Sequence, residues 1–380
     1  MCKLSKYTLY IIILFILFVS CYYICNPSIA NNNYIIRLSY IKPVNSLKLN
    51  FGPYILKNNI KLYDYNPSIC QNNYGDIMVV SRISGHTFEN RKNTCMNLLK
   101  KYTYDKDIDN AFSVFPENKI ESSSIAIVRN LTRNETKIVP FTFDSQKLNG
   151  HYLGCEDPRI FSFNNKLWIY FHYIGRDNLY NKDRVSKYIT IAPLDNLSNF
   201  IHLYTDNMRK TEKNWMPFEY NNELYFEYSI QPRIVMKANL DKNGIPIGYC
   251  EKIYKTQFNH NLGLRRFGGG APSIRIKING KYYFLGIGHT NGLVRTITVR
   301  KNFFYVFRAE PPFDILWCGP ELNMLKHYNS CIDFVTGLMV KNNKNTDEIN
   351  DYKVFVSFGV EDCYGCINEY NLGDIIQFKF

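Results

Sequence analysis

The sequence predicts an all-β chain, a five-bladed β-propeller, preceded by an N-terminal membrane-spanning helix. Three observations predict it. From about residue 51 onward, short apolar-aromatic runs alternate with Gly, Asn, Asp and Pro punctuation. Asn-Asn or Asn-Gly pairs feed straight into several of those runs, as in FNNKLWIYF, YNNELYFEY and INGKYYFLG. Amphipathic patterns for crossover helices are scarce, which argues against a doubly wound α/β sheet.

Residues 1–6 read as a short cytosolic tail carrying Lys3 and Lys6. Residues 7–25 (YTLYIIILFILFVSCYYIC) hold no charge in 19 positions. A helix of that length rises roughly 28 Å, enough for a bilayer core of about 30 Å. The preceding lysines orient it as a signal-anchor, with the remainder on the lumenal side. That makes a single-pass type II protein of the Golgi or ER, partnered with the membrane through residues 7–25. A cleaved signal peptide is the competing reading and would make the protein secreted, although Ser28-Ile29-Ala30 is a weak cleavage site. Residues 26–50 read as a polar stem, and residues 51–380 as the catalytic propeller domain.

Within that domain the runs 76–83 (DIMVVSRI), 124–131 (SIAIVRNL), 166–173 (KLWIYFHY), 187–194 (KYITIAPL), 223–230 (ELYFEYSI), 281–288 (KYYFLGIG) and 352–360 (YKVFVSFGV) have the β-branched and aromatic content of strands. Asn-rich turns that tolerate positive φ mark hairpins between them. These units recur about every 55–60 residues, so that roughly 320 residues hold five, and radial repetition shields their sheet edges. A β-sandwich with insertions is the alternative. Residues 90–104 read as a short helix or an extended excursion.

The formal charge is +13, from 46 Lys and Arg against 33 Asp and Glu. Such a field suits phosphate-bearing substrates, or is simply a solvated basic surface. No finger, basic heptad or arginine-glycine tract points to nucleic acid. Eleven cysteines are present, and Cys363 and Cys366 form CYGC. A zinc site would need a second such pair, so no metal or cofactor is implied, and a local disulfide is one reading of the motif. Asn130-Leu-Thr, Asn134-Glu-Thr and Asn196-Leu-Ser are glycosylation sequons if the bulk is lumenal.

Four polar clusters at strand ends are candidates for chemistry. In GCEDPRI (154–160) the acidic pair Glu156-Asp157 precedes Pro158 and Arg159, and Pro restrains Asp157 toward an extended backbone. Its alternative is a structural loop pair. In EKNWMPF (212–218), Lys213 and Asn214 stand beside Trp215 and Phe218, the mixture of polar groups and flat apolar faces that sugars need. Arg233 follows Pro232 and offers a further cation. In RRFGGGAPSIRI (265–276), Gly268, Gly269 and Gly270 let the backbone approach a ligand and form an anion nest, or are a tight turn. Arg265 and Arg266 flank them, and His289 ends the next strand. In VSFGVEDCYG (356–365), Glu361 and Asp362 follow a strand directly. No P-loop, dinucleotide fingerprint or nucleophile elbow is present.

Taken in order, NPSI (66–69), the strand ending at Arg82, GCEDPRI, EKNWMPF, GGGAPSI with His289, VTGL (335–338) and FGVEDCYG resemble the five-bladed family of inverting β-mannoside phosphorylases and β-1,2-mannosyltransferases. The resemblance runs from about residue 64 to 375. It implies that Asp157 is the single catalytic acid, acting through a hydroxyl of the bound mannosyl unit. It further implies that Arg82, Lys213, Arg265 or Arg266, and His289 line a phosphate or donor-phosphate region, and that Asp362 holds sugar hydroxyls. The EKNW block and YSIQP strand look closer to the eukaryotic-type transferases, where a histidine commonly follows the proline that precedes Arg233 here. The expected partners are a mannose-containing glycan with phosphate, mannose 1-phosphate or GDP-mannose. Inverting mannosyl transfer is the leading function. Hydrolysis by a related five-bladed enzyme and a non-catalytic sugar-binding propeller are the alternatives.

Overall fold

The computed structural model describes residues 41–49, 51–85, 101–113, 124–139, 156–177, 181–197, 199–209, 211–258, 266–294, 297–322, 333–342 and 348–376, with positions 115, 120 and 324. All of them fall in one unit, Tyr40–Phe380. The apolar segment 7–25 and the cytosolic tail lie outside the described residues. Among the described residues no helix is long and apolar enough to cross a membrane.

The paired asparagines make the turns their chemistry predicts. Asn164 and Asn165, Asn221 and Asn222, and Asn279 with Gly280 all have positive φ, which joins adjacent strands with little splay. Repeating that hairpin produces five antiparallel sheets among the described residues. Blade 1 comprises β2 (Tyr54–Ile55), β3 (Lys61–Gln71), β4 (Ile77–Ser84), β5 (Ser124–Asn130) and β6 (Glu135–Val139). Blade 2 comprises β7 (Glu156–Phe163), β8 (Lys166–Asp177), β9 (Asn181–Pro193) and β10 (Ile201–Leu203). Blade 3 comprises β11 (Met216–Tyr220), β12 (Glu223–Ser229), β13 (Arg233–Leu240) and β14 (Pro246–Thr256). Blade 4 comprises β15 (Arg266–Gly269), β16 (Ile274–Ile278), β17 (Lys281–Val294), β18 (Ile297–Arg308) and β19 (Ile315–Glu321). Blade 5 comprises β20 (Asp333–Asn342), β21 (Tyr352–Val360) and β22 (Tyr364–Asn371), and β1 (Asn45–Leu49) pairs with β22 as its fourth strand.

The last blade is therefore built from both ends of the domain, which closes the ring. It also corrects the expected stem, because residues 45–49 belong to the propeller. A sheet wedged between two neighbours must bury both faces, so its strands read as continuous apolar runs such as LWIYF. The packing has that form. Cys70 and Val80 meet Ile160 and Phe171 between blades 1 and 2, and Phe161 and Tyr170 meet Trp215 and Phe226 between blades 2 and 3. Phe218 and Val235 meet Phe284 and Tyr305 between blades 3 and 4, and Leu285 and Phe304 meet Val356 and Phe358 between blades 4 and 5. Ile69 and Val79 meet Met339 and Ile367 where blades 5 and 1 join. An apolar cluster at every one of five interfaces is a propeller and excludes the sandwich.

Hydrogen bonds near the axis tie the same neighbours. Ser68 Oγ accepts the Ile160 N–H at 3.0 Å, Tyr170 Oη accepts the Trp215 N–H at 3.2 Å, and Pro217 O accepts the Ser273 N–H at 3.1 Å. Asn302 Nδ2 donates to Asp333 O at 3.0 Å, and Thr336 Oγ1 donates to Pro67 O at 2.7 Å. Outside blade 1, residues 86–100 are not described, Thr103 bridges Tyr54, and a helix α1 (Lys106–Phe112) follows. The Asp105 carboxylate caps it, and Ile108 and Phe112 pack on Ile83 and Ile127.

Three further expectations meet this structure. Cys363 is disulfide-bonded while Cys366 is a buried free thiol, so the CYGC motif does not form a local disulfide. The Asn130 sequon is buried: its Nδ2 donates to Asp76 Oδ2 at 3.0 Å, and its Oδ1 accepts the Thr132 and Arg133 N–H groups. Asn134 and Asn196 are exposed. Arg233, expected in a sugar-facing role, is 1% exposed and locked in the blade 3–4 interface. Its Nη1 pairs with Glu227, its Nε donates to Phe313 O at 3.1 Å, and its guanidinium lies 4.5 Å over the Phe307 ring. Ser273 and Tyr305 also donate to Glu227.

That network makes a stability prediction. Arg233→Met leaves the Glu227 carboxylate buried without its cation, which costs about 3–5 kcal/mol. Urea unfolding reads this as a lower midpoint at unchanged slope. Adding Glu227→Leu to the same chain recovers most of the loss.

Candidate active site

One end of the inner strands carries a set of backbone irregularities. The pairing of β3 with β4 slips between Tyr65 and Ser68, and that of β7 with β8 between Glu156 and Arg159. Asn66 and Asp157, at these slips, have φ of 52° and 50°, and each precedes a proline, so Asp157 is left-handed rather than in the extended backbone expected from Pro158. Asn214, just before β11, has φ 61°, and Glu361 and Asp362, in the β21–β22 turn, have φ 52° and 54°. Short polar side chains tolerate this left-handed region, and a bulge there re-aims the side chain away from the ladder.

The side chains so released meet around Arg82, which is buried on β4. Its Nη1 lies 3.7 Å from Asp157 Oδ1 and its Nη2 3.9 Å from Glu156 Oε1. Asp362 adds a third negative charge close enough to act on it. Asn66 Nδ2 donates to Asp157 Oδ1 at 2.9 Å, and Lys187 Nζ donates to Glu156 Oε2 at 2.7 Å. Burial opposes ionisation of Asp157, but Arg82, Arg159 and the Asn66 amide outweigh it and hold its pKa below the ordinary aspartate value. Burial likewise opposes ionisation of Glu156, and Arg82 and Lys187 together hold it low. Both are carboxylates at neutral pH.

His172 faces the other oxygen, with Nδ1 3.9 Å from Asp157 Oδ2. Burial pushes its pKa down to about 4, so the ring is neutral at pH 7. Its Nε2 accepts from the Tyr170 hydroxyl at 3.2 Å and from the Asn214 N–H at 3.4 Å. The remaining ring proton therefore sits on Nδ1, aimed at Asp157.

The adjoining half of the site is cationic. Arg159 is 0% exposed, with its guanidinium over the Tyr170 and Phe334 rings. Its Nη2 donates to Asn214 Oδ1 at 2.9 Å, while Nε and Nη1 have no hydrogen-bond partner among the described residues. His289 stacks edge-on to Phe334, and its buried Nδ1 also lacks a partner there. Burial, then the charges of Arg300, Arg159 and Lys213, keep His289 neutral. Lys213 reaches solvent, yet partial burial and the nearby Arg300 and Lys187 lower its pKa.

Eight sequence-predicted residues thus come together: Arg82, Glu156, Asp157, Arg159, Lys213, Asn214, His289 and Asp362. Others do not. Trp215 is fully buried between blades 2 and 3, with its indole N–H on Glu212 Oε2 at 3.1 Å, so it offers no stacking face. Arg233 is held by Glu227, as described above. Gly269, the last residue of β15, and Gly270 just after it are close-packed rather than an anion nest. A Cβ at Gly269 would meet the Met216 sulfur at 2.4 Å, and one at Gly270 would meet Ile287 O at 2.6 Å. Arg265 lies outside the described residues, and Arg266 opens β15 opposite Asn291. Asn66, His172, Lys187, Arg300 and Phe334 were missed. Asn66 lies in the NPSI block already noted. His172 was legible only through register, since it pairs with Glu156 across β7 and β8.

Comparison with known proteins adds to this geometry. No protein-family profile matches the chain. It is 26% identical over 236 residues to β-mannosyltransferase 3 of Candida albicans, covering 57% of this chain and 40% of that protein. The chain thus spans well under half of that relative's length. Its fold is similar to that of β-1,2-mannobiose phosphorylase from Listeria innocua, at 12% identity and TM-score 0.50, over 88% of this chain and 98% of that one. A GDP-Man-dependent mannosyltransferase from Leishmania mexicana aligns at 12% identity and TM-score 0.49, over 90% and 94%. The resemblance read from the sequence motifs is thus met by a β-mannosyltransferase in sequence and by a β-1,2-mannobiose phosphorylase in fold.

The buried histidine gives a pH prediction. The folded pKa of His172 is depressed, so the unfolded chain takes up the proton first as pH falls. Its contribution is complete above the unfolded value near 6.5 and is lost towards about 4. Within that window His172→Gln flattens the stability slope by up to about 1.4 kcal/mol per pH unit. Urea midpoints at pH 7 and pH 5 measure it, and an unchanged difference between the two contradicts a buried neutral ring.

Proposed function

We propose that this chain transfers a mannosyl unit with inversion at the anomeric carbon, as a β-mannosyltransferase or β-mannoside phosphorylase, with Asp157 as its single general acid/base. The observation that carries the proposal is the pairing of an ionised Asp157 with the neighbouring buried guanidinium of Arg159 and the neutral ring of His289, whose Nε, Nη1 and Nδ1 atoms lack partners among the described residues. A carboxylate held ionised at rest is ready to receive a proton. Unsatisfied guanidinium and imidazole N–H groups suit phosphate oxygens, which accept several charge-assisted bonds at once.

In the synthetic direction, the acceptor hydroxyl oxygen attacks the anomeric carbon as the bond to the donor phosphate oxygen breaks. The hydroxyl proton passes to Asp157, directly or through a hydroxyl of the mannosyl unit, and the phosphate leaves with its electron pair. Phosphorolysis is the reverse, with phosphate attacking and Asp157 returning the proton to the departing glycan. Arg82, between Glu156 and Asp157, and the Asn66 amide hold the base in place. Arg159, Lys213 and His289 would receive phosphate, mannose 1-phosphate or the diphosphate of GDP-mannose, with Arg300 adding charge. Asp362 and Glu156 would accept from sugar hydroxyls. Ordering donor and acceptor in this way supplies much of the rate, because the displacement becomes effectively unimolecular. The proposal extends to location: residues 7–25 anchor the propeller on the lumenal side, and the mannose-containing glycans it meets there are its acceptors.

The test incubates the full chain, in detergent, with β-1,2-mannobiose and phosphate, and separately with GDP-mannose and mannobiose. Mannose 1-phosphate in the first or an extended glycan in the second supports the reading. Free mannose in phosphate-free buffer contradicts it in favour of hydrolysis. Asp157→Asn keeps the shape of the group but removes its basicity, and lowers turnover by about 10²–10⁴-fold in a chain that still unfolds cooperatively.

A further inference from the structure

The hairpin turns mark a second region of interest. Asp157 is the second residue of β7 and Asn164 follows its last, so the two are roughly 23 Å apart along the strand. At the Asn164 end a cavity of about 640 Å³ opens between blades 2 and 3. A second, of about 490 Å³, opens between blades 1 and 2. Asn165 and Lys166 line both, so the two cavities adjoin across blade 2. Volumes of this order accommodate small oligomeric ligands.

The walls have the donors, acceptors and flat faces that hydroxyl-rich ligands use. Phe200, on the wall of the larger cavity, packs one side of its ring on His202 at 5.3 Å and is still 42% exposed. Trp168 forms another part of that wall; it is 4% exposed, and its indole N–H has no acceptor among the described residues. A buried donor left unsatisfied costs stability unless something accepts from it. Glu219 is half-buried, and one carboxylate oxygen takes the Asn164 N–H at 3.3 Å. The amides of Asn165 and Asn222 stand exposed beside it. In the adjoining cavity Tyr74 presents a ring that is 85% exposed. Charges of both signs line the pair of cavities, Glu219, Asp195 and Glu135 against Lys166 and Lys137, a mixture that selects no strongly charged ligand.

We propose that these adjoining cavities form a second binding site, for a neutral glycan chain, at the end of the blades away from Asp157. Phe200 and Tyr74, one in each cavity, stack on sugar C–H faces, Glu219 and the asparagine amides take hydroxyls, and Trp168 donates to a ring or hydroxyl oxygen. Such a site would keep a long glycan on the protein between turnovers at the axis. It stands apart from the mannosyl-transfer reading, because binding is measured without donor or turnover.

The experiment titrates a soluble mannan and mannotetraose into the full chain, produced in bacteria so that it carries no N-linked glycans, by calorimetry in detergent. The background is Asp157→Asn, which removes turnover under the proposed function. Phe200→Ala and Glu219→Gln each weaken mannan binding about three- to tenfold, the range of one stacked ring. Tyr74→Ala weakens mannan more than mannotetraose. On the unmutated axis, turnover of β-1,2-mannobiose with phosphate stays as in the parent chain for all three. The proposal is overturned if the parent binds no mannan, if the substitutions leave its affinity unchanged, or if excess mannobiose displaces all of it. Loss of affinity together with a lowered unfolding midpoint in both Phe200→Ala and Glu219→Gln overturns it too. Absence of turnover with intact, Phe200-dependent mannan binding sinks the transfer reading alone.

Discussion

Arg82 is the buried charge on which the arrangement at the axis depends. A guanidinium does not shed its proton on burial, so its charge must be met inside the protein. Blade 1 supplies Arg82, blade 2 supplies Glu156 and Asp157, and the last turn of blade 5 supplies Asp362. The cation can be compensated only when these blades are in register. Ring closure and site assembly are therefore one constraint, and β1, which completes blade 5 from the other end of the domain, serves both.

The backbone meets the constraint by departing from regular pairing where the side chains must turn inward. Asn66, Asp157, Asn214 and Asp362 each occupy the left-handed region, at a cost of order 1 kcal/mol apiece that the surrounding hydrogen bonds offset. Asn66 returns its share directly, because its amide holds Asp157. Proline after Asn66 and after Asp157 removes a donor that the slipped ladder would leave unsatisfied. Other pairs slip as well, β12 with β13 and β20 with β21 among them, and apolar packing between blades keeps the axis rigid enough for contacts between 3 and 4 Å to matter.

Much of this was legible in the chain. The Asn-Asn and Asn-Gly turns, spaced at one blade each, carry the fold, since positive φ at 164–165, 221–222 and 279–280 is what those residues tolerate best. The acidic pair before Pro158, and His289 on the strand after the glycines, carry half the site. Three kinds of information were not legible. Arg233 and Trp215 have the chemistry of ligand-binding residues, but their use inside blade interfaces is set by tertiary packing. The glycines at 269 and 270 looked like an anion cradle, whereas the nearby Met216 side chain and the Ile287 carbonyl simply leave no room for a Cβ. His172 and Lys187 lie on second and third strands of blade 2, and only the pairing register brings them to Glu156 and Asp157.

The electrostatics also bear on direction. Under the proposed function an ionised resting Asp157 fits a cycle that begins with an acceptor hydroxyl, and a neutral His172 stands beside it without adding charge. The acid limb of the kcat/KM profile for mannosyl transfer tests the link between Arg82 and that ionisation most directly. In the wild-type chain the limb should lie below the free aspartate value of about 3.9. In Arg82→Lys, whose ammonium matches the two carboxylates less closely, it should move to higher pH. A limb at the same pH in both proteins would contradict the claim that Arg82 holds Asp157 ionised.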